Sequence, residues 1–238
     1  MSTGGEGDLG TLAGREFAAV LFDMDGTLID SAPSVERSWA IWSREFGIDF
    51  DELRTFHGVP AAGVIAHFLS PDVRDAADRR LRELEIADAR DIPQLPGASE
   101  AMTALAGSDR FAIATSCTDD LGQARVAASG LAIPPVFVTA SDVERGKPFP
   151  DPYAEAARRL GVAPSECLVV EDALAGLAAG KAAGCATLAV TTTTSRERLV
   201  GSGDADAVIS TLADVTFTWT AAGVRMQPRA APRPDALT

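Results

Sequence analysis

The sequence predicts an α/β fold: a Rossmann-like, three-layer core with a parallel sheet between helices, an inserted all-helical cap domain and a terminal β-hairpin. Two observations predict it. Short, continuous apolar runs recur along the chain, each is followed by polar residues, and helical stretches lie between them. One long segment in the first half of the chain breaks this alternation and has helical periodicity only.

The apolar runs are typical of strands buried on both faces of a parallel sheet. The first run, FAAVLF, predicts one strand over Phe17–Phe22. Five further strands are predicted at Phe111–Ala114, Val136–Val138, Cys167–Val170, Thr187–Val190 and Ala207–Ile209. Intervening helices are predicted at Asp151–Leu160 and Ala173–Ala183.

The segment from about Ala32 to Gln94 predicts a helical insert after the first strand. Its aromatic and apolar stripe at helical spacing consists of Val35, Trp39, Trp42 and Phe46. A second helical stretch, Pro71–Arg90, is rich in charged residues. We interpret the stripe as the hydrophobic core of the insert.

Near the end of the chain, VTFTW alternates apolar and polar residues and is followed by a short turn and a second short run. This pattern predicts a terminal hairpin over Val215–Trp219 and Val224–Met226. The predicted organisation is therefore a loose N-terminus (1–15), a core domain (16–31 and 96–226), a helical cap domain (32–95) and a mobile tail (227–238).

The composition limits the classes of function. The 238 residues are 46% hydrophobic and 23% charged, enough for a sizeable core, and the net charge of −13 disfavours nucleic acid and anionic membranes as partners. Three cysteines without metal-ligand spacing and only two histidines exclude a histidine-rich zinc site. The N-terminal residues show no secretory signal. We expect a cytoplasmic monomer with reduced thiols.

Asp23 and Asp25 follow the first predicted strand directly, in FDMDGTLIDS. In an extended segment, residues two apart point to the same side, so these carboxylates would repel each other unless a cation or proton lies between them. Mg²⁺ prefers such oxygen ligands. The alternative is a solvated Asp-Gly turn at the end of the strand.

Three other polar groups lie near successive strand ends. Thr115 and Ser116 follow FAIA and are predicted to open a helix, where hydroxyl and N–H groups suit a phosphate. Lys147 lies in RGKPFPDP, and Glu171-Asp172 follows CLVV. The alternatives are two ordinary helix N-caps and a surface lysine. Because the carboxyl ends of parallel strands lie at one edge of the sheet, the shared position favours one site.

These motifs resemble the four motifs of the haloacid dehalogenase superfamily of phosphohydrolases, in the same order and over about residues 17 to 226. The motifs are DMDGT, the Thr115-Ser116 position, Lys147 and Glu171-Asp172 in VVEDALAGLAAGKAAG. The segments HGVPA, LPGA, ATSCTDD and VTASDVERGKPFPDPY resemble the sugar-phosphatase branch, which includes 2-deoxyglucose-6-phosphatase and glycerol-3-phosphatase-like enzymes. That branch carries a helical cap where this chain has its predicted insert.

The resemblance implies a role for each matching residue. Asp23 would be the nucleophile that forms an aspartyl-phosphate, and Asp25 the general acid and then base. Thr115, with Ser116 beside it, would bind the phosphoryl oxygens, and Lys147 would offset their charge. Candidate Mg²⁺ ligands are the side chains of Asp23 and Asp172 and the backbone carbonyl of Asp25, with Glu171 in direct contact or close by. Whether Thr115 or Ser116 is the main phosphate ligand stays open.

The cap decides the substrate, a small phosphorylated sugar or polyol. His57 and Gly58 are candidate substrate contacts, although His57 could equally be a partly buried packing residue. Similar sugar phosphatases often carry Lys or Arg where this chain has Val59 or Pro60. Cys117, beside the phosphate-binding position, is predicted to be a buried, inert thiol.

Three other functions compete with hydrolysis of a phosphate ester. The resemblance disfavours C–halogen chemistry, because dehalogenases lack the aspartate found here at Asp25. A β-phosphoglucomutase would need a cap histidine where this chain has Val35, and a cap arginine that HGVPA lacks. A non-catalytic phosphosugar-binding protein would not need every motif residue.

Overall fold

The computed structural model describes residues 9–56 and 61–229. Its strands are β1 (Glu16–Phe17), β2 (Ala19–Phe22), β3 (Phe111–Ala114), β4 (Val136–Val138), β5 (Cys167–Glu171), β6 (Ala186–Val190), β7 (Ala207–Ile209), β8 (Val215–Trp219) and β9 (Val224–Pro228). Its α-helices are α1 (Ala32–Phe46), α2 (Phe50–Leu53), α3 (Ala61–Phe68), α4 (Pro71–Ala87), α5 (Ala98–Leu105), α6 (Asp119–Ser129), α7 (Asp151–Leu160), α8 (Leu174–Ala182) and α9 (Arg196–Ser202).

The core of the protein is a six-stranded parallel sheet with strand order β4-β3-β2-β5-β6-β7. Both faces of the sheet are buried: Val20 and Phe22 of β2 pack into one apolar cluster, and Ala19 and Leu21 pack into another on the opposite face. This two-sided burial explains why the strands are continuous apolar runs rather than alternating ones. The predicted Rossmann-like α/β class is confirmed.

The strand order of the sheet indicates where a ligand would bind. Strands β3 and β4 extend the sheet on one side of β2, and the chain then returns to add β5 on the other side. This return makes a topological switch point between β2 and β5. Ligands of open α/β sheets bind at such a point, beyond the carboxyl ends of the strands. Residues that follow β2, β3 and β5 are therefore brought together.

The predicted single strand Phe17–Phe22 is wrong, because the structure divides it at Ala18. β1 belongs to a separate three-stranded antiparallel sheet of order β1-β9-β8, in which Glu16 pairs with Arg225. The N–H of Ala18 instead donates to the carbonyl of Glu166 at 2.7 Å. One apolar run thus contributes strands to two sheets, and hydrophobicity alone does not show where the chain passes from one sheet to the other.

The predicted terminal hairpin is confirmed, and it is longer than predicted. β9 continues to Pro228, inside the segment predicted to be a mobile tail, and Val215 pairs with Pro228. The N–H of Arg229 donates to the carbonyl of Asp214 at 2.7 Å. The rest of the predicted tail, residues 230–238, lies outside the described residues.

The described part of the predicted loose N-terminus is also ordered. Gly10–Leu12 forms one turn of 3₁₀ helix. Leu9 and Leu12 are buried in the main apolar cluster of the core. These two leucines remove apolar surface from water, which explains why the segment packs on the domain from Leu9 onward. Residues 1–8 lie outside the described chain.

Helices α1 to α4, here called the helical insert, have a hydrophobic core of their own. Trp42 is fully buried at its centre, and the indole N–H donates to the carbonyl of Ala77 at 2.9 Å. The other buried members are Leu53, Val64, Ile65, Ala77, Leu81 and Leu84. Of the predicted stripe, Val35, Trp39 and Phe46 are half-buried. Helix α4 ends at Ala87, three residues before the predicted end.

Two segments that lie side by side join the helical insert to the core. Ile29 pairs with Gln94 in an antiparallel bridge. The N–H of Asp30 donates to the carbonyl of Pro93 at 2.9 Å, and that of Leu95 donates to the carbonyl of Leu28 at 2.9 Å. The insert is therefore attached through a two-stranded neck at the edge of the sheet that carries the strand ends.

Among the helices of the described ranges, none has the length and apolar character required to cross a bilayer.

Candidate active site

Three buried carboxylates meet at the carboxyl ends of β2 and β5. Asp23 follows β2, Glu171 ends β5 and Asp172 is the next residue; carboxylate oxygens of the three lie within 4.8 Å of one another. The N–H of Asp23 donates to the carbonyl of Val170 at 2.9 Å, which fixes the end of β2 against β5. Parallel pairing therefore forces like charges together in a buried position.

Lys147 supplies the opposite charge. Its ammonium lies 2.5 Å from Asp23 Oδ1 and 2.7 Å from Glu171 Oε1, and its side chain is only 6% exposed. Burial by itself lowers the pKa of Lys147, but Asp23 and Glu171 outweigh that effect and hold it well above the usual lysine value. The side chain therefore remains a cation at neutral pH.

Glu171 fixes the position of Lys147. Its Oε1 also accepts a hydrogen bond from the Tyr153 hydroxyl at 2.8 Å. Its Oε2 accepts from the backbone N–H groups of Asp172 at 3.0 Å and Ala173 at 3.1 Å. Both carboxylate oxygens are thus occupied, which makes Glu171 a rigid acceptor for the ammonium.

Asp172 is held by two threonine hydroxyls. Thr27, in the DMDGT motif, donates to its Oδ1 at 3.2 Å, and Thr193 donates to its Oδ2. Burial, assisted by the charge of Glu171, raises the pKa of Asp172 to about 7. Its burial therefore disfavours a full negative charge unless a further cation is present.

Asp23 is similarly perturbed. Burial raises its pKa well above the usual aspartate value, Lys147 opposes the rise, and Glu171, Asp172 and Asp25 add to it. Two neighbouring carboxylates with raised pKa values are typical of sites that bind a cation or carry out acid–base chemistry.

Asp25 lies apart from this cluster, beside the end of β3. Its Oδ1 is 2.9 Å from a terminal nitrogen of Arg125, a contact that the sequence analysis did not predict. Its Oδ2 accepts a hydrogen bond from the Cys117 thiol at 3.1 Å and is 3.5 Å from the Thr115 hydroxyl. Burial raises the pKa of Cys117 well above the usual thiol value, as the predicted inert thiol requires.

Thr115 and Ser116 do not open a helix as predicted. α6 begins at Asp119, so the two residues lie in the loop after β3. Thr115 is buried: its N–H donates to the carbonyl of Val138 at 2.9 Å, and its hydroxyl accepts from the N–H of Cys117 at 3.1 Å. Ser116 is exposed. The structure thus places the Thr115 hydroxyl beside Asp25.

Comparison with known proteins adds an independent observation. The family model described as "Hydrolase: haloacid dehalogenase-like hydrolase" matches residues 17–184. The chain belongs to this family. The match includes Asp23, Thr115, Lys147 and Asp172, the residues that the sequence analysis assigned to the four motifs.

Two curated relatives of this haloacid dehalogenase-like hydrolase are named as a phosphatase and a phosphohydrolase. It is 43% identical over 204 residues to hexitol phosphatase A of Escherichia coli (strain K12), with 83% of this chain and 93% of the relative covered. It is 36% identical over 192 residues to glycerol-1-phosphate phosphohydrolase 2 of Saccharomyces cerevisiae (strain ATCC 204508 / S288c), with 74% and 75% covered.

A solved structure supports the same fold. A family IA, variant 3 HAD hydrolase from Entamoeba histolytica HM-1:IMSS superposes with a TM-score of 0.74 at 25% identity, covering 84% of this chain and 95% of that one. The resemblance inferred from the motifs is therefore confirmed at the level of family and fold.

Apart from Ser116, which is exposed, the predicted site residues divide into two groups. The structure brings together Asp23, Lys147, Glu171 and Asp172, with Asp25 and Thr115 beside them. His57 and Gly58, predicted to contact substrate, lie outside the described residues, as do Val59 and Pro60. Four residues in contact with this group were not predicted from the sequence: Thr27, Arg125, Tyr153 and Thr193.

A cavity of about 480 Å³ lies within the helical insert near its neck. Asp30 of the neck lines it together with Val35, Trp39 and Phe56. An exposed ion pair between Arg54 and Glu36, at 3.2 Å, forms part of the same wall. The cavity therefore offers both aromatic faces and charged groups to a ligand.

Two glycines allow the carboxylates to pack this closely. A Cβ at Gly26, whose φ is +87°, would lie 2.3 Å from Asp172 Oδ2. A Cβ at Gly176 in α8 would lie 1.6 Å from Glu171 Oε1. Neither position tolerates a side chain unless a carboxylate moves.

Gly176→Ala is therefore expected to displace Glu171, and with it Lys147. We expect a loss of about 1–3 kcal/mol in the free energy of unfolding, measured by chemical denaturation, together with reduced turnover. Gly201→Ala is the matched control, because Gly201 also lies in a helix but its added Cβ meets open space. Equal stability of the two variants would contradict the proposed packing.

Proposed function

We propose that the protein is a Mg²⁺-dependent phosphatase that hydrolyses a small sugar or polyol phosphate through an aspartyl-phosphate at Asp23. The observation that carries the proposal is the salt bridge between Asp23 and Lys147, at 2.5 Å, within a buried group of carboxylates at the switch point of the sheet. The names of the relatives, a hexitol phosphatase and a glycerol-1-phosphate phosphohydrolase, support this substrate class.

The residues present fit a Mg²⁺ ion. Mg²⁺ takes oxygen ligands and is commonly held by one or two carboxylates. Asp23 and Asp172 suit this role, together with the backbone carbonyl of Asp25. Glu171 is less suited to direct contact, because four donors (Lys147, Tyr153 and two backbone N–H groups) occupy its oxygens, whereas only two threonine hydroxyls contact those of Asp172. When bound, Mg²⁺ would offset the negative charge of the phosphoryl group.

In the first half-reaction, a carboxylate oxygen of Asp23 attacks phosphorus and the bond from phosphorus to the ester oxygen breaks. Asp25, in its protonated form, donates its proton to the departing oxygen, which leaves as an alcohol. Lys147 offsets charge on the nucleophile and the phosphoryl oxygens, and the Thr115 hydroxyl donates a hydrogen bond to one of them.

In the second half-reaction, water attacks the phosphorus of the aspartyl-phosphate. Asp25, now a carboxylate, takes the proton of that water, and the carboxylate of Asp23 is released with inorganic phosphate. One side chain can serve both steps because the Asp25 carboxylate lies beside Thr115, the proposed phosphoryl ligand, with 3.5 Å between the Thr115 hydroxyl and Asp25 Oδ2.

We propose that the helical insert is a cap domain and that its cavity receives the sugar or polyol. Two observations support this: the insert has its own apolar core, and its cavity reaches the neck through Asp30. The three cysteines, all buried and without disulfides, support a reducing, cytoplasmic location.

A panel of hexitol, hexose, pentose and glycerol phosphates tests the proposed function. We expect inorganic phosphate to be released with Mg²⁺, and the rate to fall at least about 100-fold when the metal is removed with EDTA. Conversion of β-glucose-1-phosphate to glucose-6-phosphate without phosphate release would instead establish a mutase. Binding of the panel without turnover would establish a non-catalytic protein.

A further inference from the structure

Arg125 lies between a side chain of the core and one of the helical insert. One terminal nitrogen is 2.9 Å from Asp25 Oδ1, and the other is 3.1 Å from Glu85 Oε1. Asp25 follows β2, Arg125 lies on α6 of the core and Glu85 lies on α4 of the insert. The side chain of Arg125 is only 5% exposed and that of Glu85 only 13%.

The guanidinium is oriented by these two carboxylates and by the Cys117 sulfur, to which it donates at 3.1 Å. Its Nε–H is buried and has no hydrogen-bond partner within the described chain. Most buried polar side-chain atoms have at least one hydrogen-bond partner, so the unpartnered Nε–H is unusual. Asp25 Oδ1 is likewise buried without a hydrogen-bond partner in the described chain, so its 2.9 Å contact with Arg125 is an ion pair rather than a hydrogen bond. The charge of Asp25, rather than complete hydrogen bonding, is therefore what this end of the guanidinium meets.

The geometry also indicates what Arg125 does for Asp25. Arg125 and Cys117 contact the Asp25 carboxylate, and the Thr115 hydroxyl is 3.5 Å from it. Side-chain groups that surround a carboxylate restrict its rotamer. They hold it beside Thr115, the proposed phosphoryl ligand, where the leaving group must receive its proton.

We propose that Arg125 is a positioning residue that holds Asp25 for proton transfer, and that Glu85 holds Arg125 in place from the helical insert. This inference rests on the proposed function, because it assigns Asp25 the acid–base role. It makes proton transfer to the leaving group dependent on a contact that crosses from the insert to the core.

The inference predicts an effect that depends on the leaving group. For an enzyme that forms a covalent intermediate, kcat/KM depends only on the steps up to and including release of the alcohol. A sugar alkoxide is a poor leaving group and needs the proton from Asp25, whereas p-nitrophenolate leaves without it. Misplacing Asp25 should therefore reduce kcat/KM for a sugar phosphate far more than for p-nitrophenyl phosphate.

The test compares Arg125→Met and Glu85→Gln with the wild type on the best sugar phosphate and on p-nitrophenyl phosphate. For Arg125→Met we expect kcat/KM to fall about 100-fold on the sugar phosphate and less than about threefold on the aryl phosphate. For Glu85→Gln, which keeps size and hydrogen bonding, we expect a smaller fall with the same selectivity. Arg80→Met is the matched control, because the Arg80–Glu45 pair is an ion pair of the insert at 2.7 Å that lies on the surface.

Equal losses on the two substrates, or no loss on either, would overturn the inference. If Arg125→Met does not fold, the test uses Glu85→Gln instead, and compares its loss of kcat/KM on the sugar phosphate with its loss on p-nitrophenyl phosphate. A wild type that releases no phosphate from any sugar phosphate would refute the proposed function itself. An active wild type whose variants show no leaving-group selectivity would refute only the role of Arg125.

Discussion

Replacing Asp23 by asparagine is expected to abolish phosphate release while leaving the fold intact. The amide has the same size but no anionic oxygen to attack phosphorus, and removal of an enzyme nucleophile lowers kcat by a factor on the order of 10⁵–10⁶. Stability should change little, because Lys147 keeps its partner Glu171 and one of three crowded carboxylates is removed. Phosphate release and thermal unfolding measure the two effects.

Asp75→Asn is the control for this change, since Asp75 is an exposed residue on α4. It makes the same chemical substitution and should retain full turnover. Residual turnover above about one-tenth of wild type in Asp23→Asn would contradict nucleophilic catalysis by this residue. Loss of cooperative unfolding in the same variant would show instead that Asp23 is required for folding.

Replacing Lys147 by methionine is expected to reduce both activity and stability. Methionine fills the space but leaves Asp23, Glu171 and Asp172 without their buried cation. Removal of one partner from a buried ion pair destabilises proteins by about 3–5 kcal/mol. The loss should be greater at neutral pH than in mild acid, because protonation of the carboxylates relieves the unpaired charge. Turnover should fall about 100- to 1,000-fold, the range found when a group that stabilises transition-state charge is removed.

Lys181→Met provides the matched control for Lys147→Met. Lys181 is the other lysine of the sequence, and it pairs with Asp206 at 2.5 Å with 31% of its side chain exposed. A more exposed pair of this kind contributes about 1 kcal/mol or less. If the two variants unfold at the same denaturant concentration at neutral pH, the buried ammonium does not offset the carboxylates as proposed.

The parts of the site that follow strands could be predicted from the sequence. Asp23, Thr115 and Glu171 each mark the end of an apolar run, and parallel strands of similar length place their carboxyl ends at one edge. Lys147 lies in a loop, where hydrophobic periodicity makes no prediction, and it was predicted from the motif resemblance instead. The structure gives the reason for its place: Glu171 accepts a hydrogen bond from the Lys147 ammonium, and the Tyr153 hydroxyl of α7 donates to the same Glu171 oxygen.

Other features could not be predicted, because they depend on tertiary contacts between distant segments. Ala18 divides an unbroken apolar run because its N–H pairs with Glu166. Arg125 falls four residues after Leu121 on the buried face of α6, a position whose spacing predicts an apolar side chain. Its partners, Asp25 and Glu85, lie 100 and 40 positions away in the sequence, so only the fold shows that they meet.

The most direct test of the central proposal is chemical trapping of the phosphorylated enzyme. Asp25→Asn should lose the base that activates water yet still accept a phosphoryl group from p-nitrophenyl phosphate, so the intermediate should accumulate. Borohydride reduces an acyl phosphate to an alcohol, and mass spectrometry of the digested protein then locates the modified residue. Nucleophilic catalysis by Asp23 predicts homoserine at position 23 and at no other position. Modification of a different carboxylate, or unmodified Asp23 during steady turnover, would contradict it.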